Sequence, residues 1–192
     1  MEKANNLLKL KQECLDCKKC PLGGKMIEGR PSNVFSNMCL KARIMVIGQN
    51  PGMTEVIEGK PFVGPSGHFF DFAISKILNI DRSFLYVSNT VKCYTIDNQR
   101  PDQSHIDSCR SFVDKEIEIV KPVLIVTLGG PALQQVTGLS GIMKYHGKIQ
   151  ISPRYNLPVL PLLHPSPLNM NVPAKRDMFL KDLLLMKEYI NV

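Results

Sequence analysis

The apolar positions along the chain fall into two kinds of run. Unbroken apolar stretches at 42–48 (ARIMVIG), 84–89 (FLYVSN) and 123–129 (VLIVTLG) are short and bounded by turn-forming residues, and they predict strands buried on both faces. Two shorter strand candidates follow, at 147–152 and 157–162. Elsewhere the apolar residues recur every three or four positions and predict helices. These cover 3–17, with Leu7, Leu8 and Leu10 near one face, 67–79, and 104–120, with Ile106, Val113, Ile117 and Val120. A short helix is expected around 131–137, and AKRDMFLKDLLLMKEYI reads as one long amphipathic helix closing the chain. Residues 21–37 are an irregular, Gly-containing connection, and 93–103 a polar loop.

Strands separated by helical stretches predict an α/β fold, a three-layer α/β/α sandwich around a central, mainly parallel sheet of four to five strands. With no internal repeat and no long linker, residues 1–192 are read as one domain, with the N-terminal helix and cysteine cluster tied into it. Ligands of such sheets sit beyond the carboxyl ends of the strands. The loops after 48, 89, 129 and 162 are therefore where chemistry is expected.

Composition narrows the class. No apolar run reaches the roughly 18 residues of a membrane helix, and the start, MEKANNLLKLKQE, is charged rather than a short apolar signal. The expectation is a cytoplasmic protein, a monomer, with no membrane partner. A net charge of +7 and a pI near 9.1 favour a polyanionic partner held by phosphate contacts. Six cysteines in such a chain argue for metal binding or buried thiols rather than a disulfide framework. Cys14, Cys17 and Cys20 are spaced C-x2-C-x2-C, Cys93 and Cys109 are separated by fifteen residues, and Cys39 stands alone as a candidate core thiol. Pro21 and Leu22 directly after Cys20 make Cys17 and Cys20 the preferred pair, with Cys14 covering the helix end. Spacing alone leaves zinc, iron–sulfur and unliganded thiols open.

The loop GQNPGMTEVIEGKPFVGPSG, 48–67, holds five glycines and three prolines, a fixed backbone with free N–H groups suited to a phosphate or a flat ring. It contains neither a Walker lysine pattern nor G-x-G-x-x-G. GQNPG, GKPFVGPSG, VSNTVKC at 87–93 and LLHPSPLN at 162–169, with CKKCPL near the start, occur in a specific order. In that order they resemble the uracil-DNA glycosylase superfamily, most closely its iron–sulfur family 4 enzymes, from about Cys17 to Val192.

The resemblance implies a hydrolase of base-excision repair that flips uracil, or a related deaminated base, out of DNA and cleaves its N-glycosidic bond. It implies a 4Fe–4S cluster held by Cys17, Cys20, Cys93 and Cys109. By the same resemblance Asn50 orients the attacking water, and His164 donates a hydrogen bond to uracil O2. Gln49 contacts the base, Phe62 stacks on it, and Asn89 reads its O4 and N3–H edge. Glu55 occupies an acidic family position that screens the C5 face or assists the water. Leu168 is the expected wedge into the duplex, Ser66 and Ser166 the phosphate anchors, and Lys144, Lys148 and Arg154 candidates for a DNA track. The chain also departs from family 4, which carries Glu where Gln49 stands and a small residue where Asn50 stands. GxNPG is nearer the mismatch-specific and single-strand-selective branches, and HPSPLN nearer family 1. A catalytically inactive iron–sulfur nucleic-acid-binding protein of the same fold is the alternative that Gln49 favours.

Overall fold

The computed structural model describes residues 2–190. Its centre is a five-stranded sheet, built from β3 (Ile44–Gly48), β4 (Leu85–Asn89), β5 (Leu124–Leu128), β6 (Gln150–Ile151) and β7 (Pro158–Leu162) in the order β4-β3-β5-β7-β6. The first four of that order run parallel, and the short edge strand β6 is antiparallel to β7. The expected fold class is borne out.

Side chains alternate across each strand, so the apolar runs supply two cores at once. Ile44, Val46, Leu85, Val87, Leu124, Val126 and Leu160 face one side, against Phe70 and Ile74 of α3 (Pro65–Leu78) and Phe179 and Leu183 of α8 (Pro173–Leu183). Met45, Ile47, Tyr86, Ile125 and Val159 face the other. There they meet Leu7 of α1 (Glu2–Leu15), Val113 and Ile117 of α4 (Gln103–Val120), and Ala132 and Val136 of α5 (Gly130–Thr137). The result is the three-layer sandwich.

Several expectations are corrected. The Gly-rich loop 48–67 carries a helix, α2 (Met53–Glu58), which starts after Gly52 and stops at Gly59 in the left-handed region. The irregular stretch 21–37 contains a hairpin, β1 (Met26–Ile27) with β2 (Arg30–Pro31), turning at Glu28 and Gly29, both at positive φ. The strand expected at 147–152 shrinks to Gln150–Ile151, and residues 142–145 form the short helix α6 (Ile142–Tyr145). Residues after β7 form another short helix, α7 (Pro167–Met170). The closing helix is not continuous: α8 gives way to a 3₁₀ turn, Leu184–Met186, before α9 (Lys187–Ile190). Side chains three apart eclipse in a 3₁₀ turn, and this one keeps both Leu183 and Met186 in the core. Among the described residues no helix is long and apolar enough to cross a membrane.

Candidate active site

The carboxyl ends of β3, β4 and β7 open into a cleft of about 520 Å³. Nine of the candidates that are not cysteines line it, Gln49, Asn50, Glu55, Phe62, Ser66, Asn89, His164, Ser166 and Leu168, whereas Lys144, Lys148 and Arg154 do not. The register of the sheet accounts for the convergence. Gly48 pairs with Asn89, and the ladder continues beyond the strands, with Thr90 N–H and Oγ1 donating to Gly48 C=O and Val91 N–H to Gln49 C=O.

Asn89 forms the floor. It is 2% exposed, and its Oδ1 is buried without a hydrogen-bond partner. A buried acceptor left unmade costs about 1–3 kcal/mol, so the position favours a ligand that donates. Behind it lies a wholly buried ion pair in which Lys92 Nζ donates to Glu116 Oε2 (2.5 Å), Ser88 Oγ (2.6 Å) and the Asn89 carbonyl (2.9 Å). Tyr86 and Ser88 donate to the other side of the Glu116 carboxylate. The network holds the Asn89 backbone from below. Gly48 is packed against the Phe62 ring and Asn89 Oδ1 so closely that no side chain fits there.

Asn50 is oriented by its partners. Its Nδ2 donates to Pro51 C=O (3.1 Å), Thr95 Oγ1 (3.1 Å) and Asn98 Oδ1 (3.0 Å), while its Oδ1 accepts from Gln49 Nε2 (2.9 Å). Pro51 C=O can only accept, and this fixes which end of the amide is nitrogen. Thr95 and Asn98 belong to the polar loop after Cys93. Asp97 and Asn98 are both at positive φ there, a conformation Asn and Asp tolerate better than most residues. Asn98 lines the cleft, and no periodicity in the sequence marks it.

Glu55, on α2, is buried, and its carboxylate is already engaged. Oε1 accepts from Val63 N–H (2.9 Å) and Gly64 N–H (2.7 Å), and Oε2 from Gly52 N–H (3.0 Å). It thus ties the loop carrying Phe62 to the helix after GQNPG. Phe62 itself is buried at φ 54°, with its ring centroid 6.2 Å from that of His164.

His164 follows β7. Burial holds its imidazole well below the ordinary value, to about 4, against the upward pull of the Glu55 carboxylate, so the ring is neutral at physiological pH. A neutral ring still donates from one nitrogen. Its backbone carbonyl accepts from Asn169 Nδ2 (2.9 Å), and Gly129, at φ +89°, passes so near His164 Cβ that a side chain there would crowd it. Ser166 stands just before the first residue of α7 without its hydroxyl capping the helix, and Leu168 stands 86% exposed at the rim. Ser66 lies in the first turn of α3. Arg154 is not a free cation: its guanidinium grips the Asp114 carboxylate, which also accepts from Tyr155.

Five of the six cysteines lie in two adjoining clusters near Lys92. Cys93 and Cys109 are buried with Leu22, Val91 and Ile106, and Cys20 packs against them. Cys17 packs beside a neighbouring cluster that contains Cys14, Phe35 and Phe112. Burial pushes the Cys93 thiol up to about 12, and Cys109, Cys20 and Cys17 add to the rise. Burial likewise raises Cys109, opposed by the backbone N–H and the charge of Lys92. Four thiols therefore share one neighbourhood, and their chemistry fits a four-thiolate site. Among the described residues no three His, Cys, Asp or Glu side chains group as a site for a single metal ion. Segments distant in sequence are stitched together here: Asn33 bridges Cys93, Val34 N–H donates to Lys92 C=O, and Asn33 Nδ2 to Cys14 C=O. Cys39, expected as a core thiol, packs against the edge of the second core without being fully buried. It is half-buried near the surface, with Sγ against Ser83 C=O.

The profile of the "Uracil DNA glycosylase superfamily" matches residues 35–185. The Type-4 uracil-DNA glycosylase of Sulfurisphaera tokodaii is 33% identical over 169 residues, 84% of this chain and 75% of that protein. The Type-4 enzyme of Thermotoga maritima is 33% identical over 177 residues, 91% of this chain and 89% of that one. A Type-5 uracil-DNA glycosylase of Pyrobaculum aerophilum is 28% identical over 160 residues, 74% of this chain and 69% of that one.

Proposed function

The chain belongs to the uracil-DNA glycosylase superfamily, and from that membership and its cleft we propose that it excises uracil from DNA by hydrolysing the N-glycosidic bond. The observation that carries this reading is the buried, unpartnered Oδ1 of Asn89. It offers an acceptor where uracil carries N3–H, while the amide nitrogen suits O4. Cytosine, with a bare N3, would leave the acceptor unmatched, a penalty of the kind that sets strong discrimination.

In this mechanism the flipped base enters beneath Phe62, which stacks on its face, with Gln49 along its edge. Leu168, already exposed at the rim, enters the gap left in the duplex, and Ser66 and Ser166 hold the flanking phosphates. As the C1′–N1 bond breaks, its electron pair leaves on the base. Neutral His164 donates to O2 as that charge develops. Water adds to C1′ and gives up a proton, and the base is released protonated at nitrogen. Asn50 Oδ1 accepts from that water. The Asn50 amide nitrogen is held elsewhere, and its carbonyl, with one lone pair on Gln49 Nε2, keeps a second for the water. No free carboxylate is required, because an oxocarbenium-like sugar needs an oriented water more than a strong base. Glu55, with both oxygens occupied, positions the loop and does not take a proton.

Cys17, Cys20, Cys93 and Cys109 would hold a 4Fe–4S cluster. Such a cluster supplies a covalent tie between the N-terminal segment, the loop after β4 and α4, at a distance from the sugar. The protein is taken to act as a monomer, and the +7 charge suits a DNA partner.

A specific observation favours the second reading, an inactive binder of the same fold: Glu55, among the described residues the one carboxylate lining the cleft, is tied up by three backbone N–H groups. Single-turnover cleavage of a labelled uracil-containing oligonucleotide, developed with alkali, separates the two. Excision is expected, with His164→Ala lowering it by roughly 10²–10³-fold, the cost of one oxyanion-type donor. No cleavage by the wild-type protein, or wild-type rates in both His164→Ala and Asn50→Ala, would overturn the proposal.

A further inference from the structure

Phe62 has φ 54°, a left-handed conformation that a bulky side chain adopts only when its surroundings impose it. The peptide unit that follows it, Phe62 C=O with Val63 N–H, is gripped from both ends. Its N–H donates to Glu55 Oε1 (2.9 Å). Its C=O accepts from Arg82 Nη2. Arg82 Nη1 also donates to the preceding carbonyl, Pro61 C=O, at 2.7 Å. In a trans peptide the C=O and N–H point opposite ways, so an anion on the hydrogen and a cation on the oxygen align its dipole and oppose a flip.

The guanidinium is itself aimed. Asp71, on α3, accepts from Arg82 Nε (3.0 Å) and Nη2 (2.8 Å), a two-point fork. Four of the five N–H donors of Arg82 are thereby assigned, two to the carboxylate and two to the loop. The neighbouring turn is as tight, since Gly67 leaves no room for a Cβ beside Phe62 C=O. Arg82 lies in the 3₁₀ turn that leads into β4, the strand that ends in Asn89.

We infer that Arg82, aimed by Asp71, is a positioning residue that fixes the Phe62 peptide and so the plane of the ring covering the base pocket. The inference rests on the reading of Phe62 as the aromatic that stacks on the flipped base. Lysine cannot replace Arg82, because a single ammonium has no planar fork with which to bridge a carboxylate and two carbonyls.

The test is a double-mutant cycle in single-turnover excision, with maximal rate and half-saturating DNA concentration measured separately for wild type, Arg82→Lys, Phe62→Leu and the double variant. Arg82→Lys is expected to lower the maximal rate roughly 10- to 100-fold, the cost of a misplaced contact, and to leave half-saturation nearly unchanged, since that rests on phosphate contacts. In the Phe62→Leu background the same substitution should cost less than about threefold, because the ring it positions is gone. If Arg82→Lys excises at the wild-type rate, the inference is overturned. It is overturned equally if Phe62→Leu is impaired and Arg82→Lys costs the same in both backgrounds. Wild-type excision by Phe62→Leu would instead sink the stacking reading, and the role of Arg82 with it. Should Arg82→Lys fail to fold, Asp71→Asn takes its place in the same cycle, with the same coupling to Phe62 expected and its absence decisive.

Discussion

Gly48→Ala tests the pocket geometry with a single methyl group. Gly48 has no positive φ, so alanine meets no backbone penalty, and the whole effect is steric. The added Cβ would stand 2.6 Å from Asn89 Oδ1 and closer still to the edge of the Phe62 ring. Comfortable carbon contacts begin near 3.5 Å, so the methyl overlaps the ring by roughly 1 Å. The backbone cannot yield, because β3 is hydrogen-bonded on both sides, to β4 and β5. The two side chains must move, and they are those that read and cover the base. Overpacking of this kind costs about 1–3 kcal/mol. At roughly 2–4 °C per kcal/mol for a chain of this size, the Tm should fall by about 2–12 °C. Excision should fall by on the order of 10²-fold or more, the cost of displacing base contacts by an ångström. Single-turnover kinetics and thermal unfolding on one preparation measure both. Gly130→Ala is the control, since a Cβ there meets nothing within 4 Å. Near-normal excision by Gly48→Ala would refute the placement of Phe62 and Asn89 across a closed pocket.

Two further outcomes follow from the same geometry. With its pKa held to about 4, His164 stays neutral, so the chemical step should show no His164 inflection between about pH 9 and about pH 5. Because its folded pKa lies below the unfolded value of 6.5, its contribution to stability is complete above pH 6.5 and lost as pH falls from there towards 4. An NMR titration placing the His164 ring near 6.5 would contradict both statements. Anaerobically purified protein should carry about four irons per chain, and serine in place of Cys17, Cys20, Cys93 or Cys109 should remove them while Cys39→Ser does not. One equivalent of zinc without iron would overturn the cluster assignment.

Much of this was legible along the chain, because the forces that decide it are local or periodic. Unbroken apolar runs of strand length admit little besides a sheet covered on both faces, and ARIMVIG and VLIVTLG form its centre. The order of the GQNPG, VSN and HPSPLN segments placed their polar residues at strand ends, where a parallel sheet gathers them. The helix α2 was hidden by its own punctuation, since glycines at 52 and 59 signal a loop and also cap a helix between them. The 3₁₀ turn at Leu184–Met186 carries no breaker residue, so the helical repeat runs through it unmarked.

The tertiary structure alone decided how the site is held. Glu55 reads in sequence as an acid near the chemistry, yet its oxygens are filled by N–H groups up to nine residues away. Asn50 is turned by Thr95 and Asn98, more than forty residues on. Arg82 carries no motif, and it reaches the Phe62 loop twenty residues back. The charges of Lys92 and Glu116 look like surface in the sequence and lie together under Asn89. Each of these pairings is set by which loops the sheet brings together. A sequence pattern specifies a residue's own strand or helix, because that depends on near neighbours. The partner of a buried polar group depends on chain closure and on the cost of leaving that group unmade, and these exist only once the fold has formed.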